Sequence, residues 1–210
     1  MDIKSKQEAA PVMPLKKILG FFSKVETVPV ELDDVVAQLR HNGVEAEVYY
    51  FPADIDPNIL RGQLNHWEYP DNDGGLHSCV DIEYSKHLDE DWQRIVVCKE
   101  LLHILDGDAE RTDTPEKIKH LIDRIVLPPD LREPEKDGLA VLTDRIVLYI
   151  AVAILFPLAT RELLKPKFDD GTISLHDISR LLCLPLRFVV LVMNDAWENE
   201  IYPVPEAACD

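Results

Sequence analysis

Residues 88–106 read LDEDWQRIVVCKELLHILD. Asp89 and Asp91 suit the positive end of a helix, where carboxylates cap or face free N–H groups. Trp92, Ile95, Val96, Leu102 and Leu105 then give a broad apolar face, and Gly107 stops the run. The spacing predicts a central helix, long enough to organise a core. Within it stands Lys99-Glu100-Leu101-Leu102-His103. Positions four apart share a helix face, so Lys99 and His103 project together with Glu100 one step round. This is the layout of H-E-x-x-H, in which two histidines hold zinc and the glutamate activates the metal-bound water, with lysine in place of the first histidine. On an arbitrary helix the same triple also describes solvated or core-satisfied side chains.

Upstream, Val35, Val36 and Leu39 repeat at helical spacing behind Asp33 and Asp34, and Asn42-Gly43 ends that helix. Val44–Phe51 (VEAEVYYF) alternates and is rich in β-formers, so it is a strand. Pro70–Gly75 (PDNDGG) carries several turn signals, and HSCVDIEYS after it alternates again, which predicts a hairpin and antiparallel pairing. Downstream, Thr114-Pro115-Glu116 marks a helix start before IKHLIDRIVL, and Leu139–Phe156 reads as a second core helix closed by Pro157. A charged stretch, RELLKPKFDDG, separates it from a final helical part at Ser174–Trp197.

The chain has 210 residues, 46% hydrophobic and 29% charged, which excludes general disorder, collagen and a mini-protein. Twenty-two Lys+Arg against 39 Asp+Glu leave a net charge of −17, which disfavours a nucleic-acid binder that must place cations on a polyanion. Four cysteines lie far apart with no CxxC pair, as expected of a reduced, cytoplasmic protein. The N-terminus mixes lysines into its apolar part and lacks a small-residue cleavage site, so a secretory signal is not expected there. The most apolar run, Ile146–Ala159, has 14 residues. A membrane span needs roughly 20, so no membrane role is expected.

The order of segments, a helix, a β-hairpin region, the K-E-L-L-H helix and a second apolar helix ending Leu155-Phe156-Pro157, resembles the ImmA/IrrE family of zincin-like metallopeptidases. That family's motif helix reads r-x-x-x-A-H-E-L-G-H, and Arg94 to His103 follows it position for position. Its next helix reads E-x-E-A-N-x-F-A-A-x-L-L-M-P, of which Asp144 to Pro157 keeps the apolar tail and the proline. The segment Asp177 to Pro185 is similar to the family's C-terminal helix-turn-helix. The likeness spans about Leu32 to Met193. It implies that Glu100 holds the catalytic-glutamate position, His103 the second zinc-ligand position and Asp144 the third, while Lys99 replaces the first. Active relatives act on repressors in mobile-element or phage regulation.

Lysine ligates a metal only after losing its proton, and lowering a pKa near 10.4 to reach pH 7 costs roughly 4–5 kcal/mol. A different electrostatic solution is therefore expected: the Lys99 ammonium stands near the zinc position and pairs with Glu100 or Asp144, a fixed cation in place of a bound one. The spacer from His103 to Asp144 is also longer than the family pattern, with TPEKIKHLIDRIVL as an insertion.

Other candidates have structural readings. His103, Asp106, Asp108 and Glu110 could make an acidic metal site, but Gly107 and the charges fit an exposed helix end. His66 and His77 flank the turn and suit the surface, as His120 and Asp123 suit an exposed helix face. Cys98 is adjacent to Lys99, which could lower its pKa, yet it takes the family's small alanine position and suits the core. Ile178–Met193 invites a DNA-binding reading, but Arg161–Phe188 holds five basic residues against four acidic, and FVVLVM would place apolar groups in a groove.

The expected fold is α+β, a small antiparallel sheet packed on helices with a zincin-like core. Residues 1–24 form a leader, loosely ordered or packed as a short helix, 25–165 the zincin-like domain and 166–210 a C-terminal helical extension. The expected function is a degenerate, catalytically inactive ImmA/IrrE-type module, with no cofactor, that binds a repressor-like protein. The alternative is an active zinc metallopeptidase using Glu100, His103 and Asp144, with Lys99 as unusual ligand or electrostatic aid.

Overall fold

The computed structural model describes residues 12–70, 74–106 and 139–197, which form an α+β arrangement of a three-stranded mixed sheet and seven helices. In chain order these are α1 (Val12–Phe22), α2 (Leu32–His41), β1 (Glu47–Ala53), β2 (Gly62–Pro70), β3 (Leu76–Ser85), α3 (Glu90–His103), α4 (Leu139–Leu155), α5 (Leu158–Asp169), α6 (Leu175–Leu182) and α7 (Leu186–Met193). The expected helix at 114–127 and the candidates Asp108, Glu110, His120 and Asp123 lie outside the described residues.

The sheet corrects one expectation. β2 and β3 pair antiparallel, as the turn residues predict, but β1 lies on the other edge of β3 and runs parallel to it, Glu47 opposite Cys79 and Ala53 opposite Ser85. Alternating apolar residues are the same signature for parallel and antiparallel strands, so the pattern specifies which face is buried and not the direction of the neighbour. β3 takes the centre because its Val80 and Ile82 are fully buried. The junction after it is tied down by Ser85, whose hydroxyl donates to the Ile55 carbonyl at 2.5 Å and whose N–H donates to Arg61 at 2.9 Å.

α3 lies on one face of this sheet and α4 packs against α3. Ile95, Val96, Val97, Cys98, Leu101 and Leu102 of α3 are all buried, as are Val147 and Ile150–Leu155 of α4 and Phe156 just after it. α4, apolar over most of its length, has the composition that a central position requires. Gly62 permits the close approach: a Cβ there would run into Val96 Cγ1 and lie 3.2 Å from the Glu83 carbonyl. Gly62→Ala is expected to destabilise the fold by about 1–3 kcal/mol through overpacking, read as a lowered urea midpoint.

The ends of the chain contribute to the core. Ile18, Leu19 and Phe22 of α1, within the segment read as a leader, are buried, and Ser23 accepts a hydrogen bond from Ala159 N–H at 2.9 Å. The stretch read as a charged separator is helix α5. Its Arg161 is buried because Nε donates to the Val192 carbonyl at 2.7 Å, satisfying the end of α7. α6 begins with a capping box in which Ser174 and Asp177 exchange side-chain and backbone bonds. Phe188, Val189, Val192 and Met193 of α7 are buried, so the apolar FVVLVM face packs into the core. Among the described residues no single helix is long and apolar enough to cross a membrane.

Candidate functional site

α3 and α4 meet so that Lys99, Glu100 and His103, grouped by their spacing, converge with Asp144, the position that the resemblance implies. The Lys99 ammonium donates to Asp144 Oδ1 at 2.6 Å and lies 3.0 Å from Glu100 Oε1. His103 Nε2 is 3.4 Å from the same Asp144 oxygen, and its Nδ1 is 2.5 Å from Asp106 Oδ2. Lys99, Glu100 and His103 are on α3 by their one- and four-residue spacing, and Asp144 comes from the N-terminal part of α4. The Lys99 and Asp144 side chains keep 18% and 29% of their exposure, and Glu100 and Asp106 are almost fully buried.

Burial alone would discharge Lys99, but the charges of Glu100 and Asp144 outweigh it and hold its pKa above the ordinary lysine value. Burial likewise opposes the Asp144 carboxylate, and Lys99 and His103 overcome this and hold it well below the usual carboxylate range. For His103 burial again works against the charged form, yet the bond to Asp106, the contact with Asp144 and the charge of Glu100 raise its pKa to about 9. At neutral pH Lys99 and His103 are therefore both cations beside the Asp144 carboxylate, with both imidazole nitrogens directed at carboxyl oxygens.

Asp106 corrects the reading of an exposed helix end. It is buried because it follows the last turn of α3 and folds back on His103. The signal was the three-residue spacing His103-x-x-Asp106, visible in the sequence, but the burial of a helix end is decided by what packs over it. Cys98 belongs to the core: its Sγ faces the Ala151 carbonyl at 4.0 Å and burial pushes the thiol pKa up to about 12, the reverse of activation. His77 is exposed and stacked on Tyr69 at 5.1 Å, and His66 lies on β2; both are remote in sequence and element from the α3–α4 cluster.

The residues do not fit the zinc that the resemblance implies. Zinc takes a neutral imidazole through a lone pair, whereas both His103 nitrogens face carboxylates at a pKa of about 9. The remaining oxygen donors, Glu100 and Asp144, already share an ammonium, and a dication beside it would be repelled. Among the described residues no group of three or more His, Cys, Asp or Glu side chains is arranged to hold a metal ion. The arrangement is chemically a closed ion network, in which the Lys99 ammonium lies 3.0 Å from Glu100 and 2.6 Å from Asp144. Compared with known proteins, the chain matches no protein-family model, no curated protein and no solved structure.

Proposed function

We propose that this chain is a degenerate, zincin-like protein of ImmA/IrrE type, in which the Lys99 ammonium takes the place of the catalytic metal and the domain serves as a protein-binding module without hydrolytic activity. The observation that carries this reading is the placement of Lys99 Nζ between Asp144 at 2.6 Å and Glu100 at 3.0 Å. A fixed cation there fills the electrostatic role of a metal while offering no Lewis acid and no bound water to activate. A motif helix lying on a sheet, with a second helix delivering the acidic third partner, supports the same reading. The partner class, a repressor-like regulator of mobile-element or phage type, comes from the resemblance alone, and the cytoplasmic setting from the dispersed cysteines.

Metal analysis of protein purified without chelators tests it. The expected result is no stoichiometric zinc; one tightly held zinc ion per chain, with chelator-sensitive cleavage of a repressor-like protein, would instead support the metallopeptidase using Glu100, His103 and Asp144. Lys99→His supplies the missing imidazole and releases the two carboxylates. That variant is expected to gain zinc affinity at least about a hundredfold over wild type, the scale on which a full ligand outweighs a single supporting contact, measured by competition with a chromophoric chelator. Equal, negligible zinc binding by both proteins would show that the cluster lacks the geometry of a metal site, whatever stands at position 99.

A further inference from the structure

The face of the sheet turned away from α3 is a second surface, independent of the Lys99 cluster. The register places three rows across it: Glu47, Cys79 and Trp67; Tyr49, Asp81 and Asn65; Phe51, Glu83 and Gln63. The alternate residues Val48, Leu64, Val80 and Ile82 belong to the core on the other face. Sheet faces that meet water are ordinarily polar, yet here Tyr49 is 48% exposed, Trp67 42% and Phe51 39%. Trp67 lies against Tyr69 with ring centroids 5.7 Å apart, extending the aromatic surface towards the hairpin end.

The charge among these rings has one sign. Glu47, Asp81 and Glu83 are carboxylates, and none of the described side chains of the three rows is Lys or Arg. Tyr49 donates to Glu47 at 2.6 Å and Gln63 donates to Glu83. Among the described residues no hydrogen bond or ion pair engages the Asp81 carboxylate, although it lies at the centre of the middle row. Asp81 and Glu83, two residues apart on β3, are about 7 Å apart along the strand, the interval between alternate side chains of an extended peptide. Rings flanking carboxylates fit guanidinium groups, which stack on aromatic faces while their N–H fork meets a carboxylate.

We propose that this face docks an extended, arginine-bearing segment of a partner protein, its alternate guanidinium groups seated between Trp67 or Tyr49 and the carboxylates of Asp81 and Glu83. The choice of occupant follows from charge complementarity: an acidic aromatic surface on a chain of net charge −17 repels acidic partners and selects basic ones. Arginine is preferred to lysine because a compact ammonium stacks less well and cannot form the fork.

The full chain is titrated with a fluorescein-labelled peptide of alternating arginine and serine, and with its lysine counterpart, by anisotropy at physiological salt. The arginine peptide is expected to bind at least about fivefold tighter than the lysine peptide, and Trp67→Ala to weaken it about fivefold. The pair Asp81→Asn with Glu83→Gln is expected to weaken it by about tenfold or more, losing two charge-assisted contacts. Asp34→Asn with Glu162→Gln removes the same charge from exposed helix positions outside the three rows and is expected to change binding by less than about twofold, since an exposed carboxylate that does not touch the peptide is screened by salt. Equal weakening by the two charge pairs, or equal affinity for the two peptides, would overturn the proposal in favour of general acidity. A dimer in sedimentation velocity that Trp67→Ala dissolves would also overturn it, assigning the face to a second copy of the chain. None of these outcomes depends on whether position 99 excludes zinc.

Discussion

Replacing Lys99 by methionine is expected to destabilise the fold by about 3 kcal/mol or more, because a buried ion network that loses its central partner leaves uncompensated charge. Methionine fills the same unbranched volume, so the loss is electrostatic and not a cavity. Without the ammonium, Asp144 at 2.6 Å and Glu100 at 3.0 Å from its former position are left as like charges around an apolar thioether. The 29% residual exposure of Asp144 lets water recover part of the loss, which places the expectation near the low end of the usual 3–5 kcal/mol for such deletions. Urea denaturation at pH 7 measures it, as a shift of midpoint with unchanged slope. The deficit has a pH signature. In the variant the carboxylates hold protons more tightly folded than unfolded, so that contribution is full below the unfolded carboxylate pKa and is lost as pH rises through the folded one. The gap to wild type is therefore expected to be smaller at pH 5 than at pH 8. Adding Glu100→Gln and Asp144→Asn to the variant removes the stranded charges and is expected to recover most of the loss. A deficit below about 1 kcal/mol, the worth of an exposed pair, would mean that the network is solvated and that Lys99 does not hold the two helices.

The Lys99–Asp144 pairing was open to expectation from sequence because two local facts met: spacing on α3 placed Lys99, Glu100 and His103 together, and the resemblance offered Asp144 across the helix pair. Where only one kind of information existed, less was legible. Alternation in Val44–Phe51 revealed the strand and its buried face, but parallel pairing of β1 with β3 depends on which edge of β3 is free after the hairpin forms. Arg161 and Lys165 made residues 161–171 look like a charged connector. Up to Asp169 they belong to helix α5, where Arg161 satisfies carbonyls at the end of α7, a partner 31 residues away that no local pattern announces. Asp106 was misjudged for the same reason, its environment being supplied by the fold and not by its neighbours in sequence.

His103 is expected to make stability fall on the alkaline side of neutrality, by about 2–3 kcal/mol between pH 6.5 and 9 at about 1.36 kcal/mol per pKa unit. Its folded pKa of about 9 lies above the ordinary 6.5, so the folded state binds the proton more tightly. The stabilisation is fully present below pH 6.5 and is lost as pH rises through the folded value. Asp144 acts in the opposite sense. Its pKa is depressed, so its contribution is present above the ordinary 3.8 and disappears as pH falls below it. These two groups alone would give a plateau of maximum stability between roughly pH 4 and 6.5. His103→Gln keeps a hydrogen-bonding group near Asp106 but cannot be charged. The difference between wild-type and variant unfolding free energies isolates this imidazole from every other titrating group, and it is expected to shrink by about 2–3 kcal/mol from pH 6.5 to 9. Asp106→Asn keeps the shape and removes the charge that faces Nδ1 at 2.5 Å, so the His103 midpoint, followed by imidazole nitrogen shifts in NMR, is expected to move down towards 6.5. Parallel pH profiles for wild type and His103→Gln would show that folding does not raise the imidazole's pKa, which leaves it neutral over the alkaline part of the range. Its Nε2 would then face Asp144 with a lone pair free for a metal, and the closed network inferred for this site would be replaced by an open one.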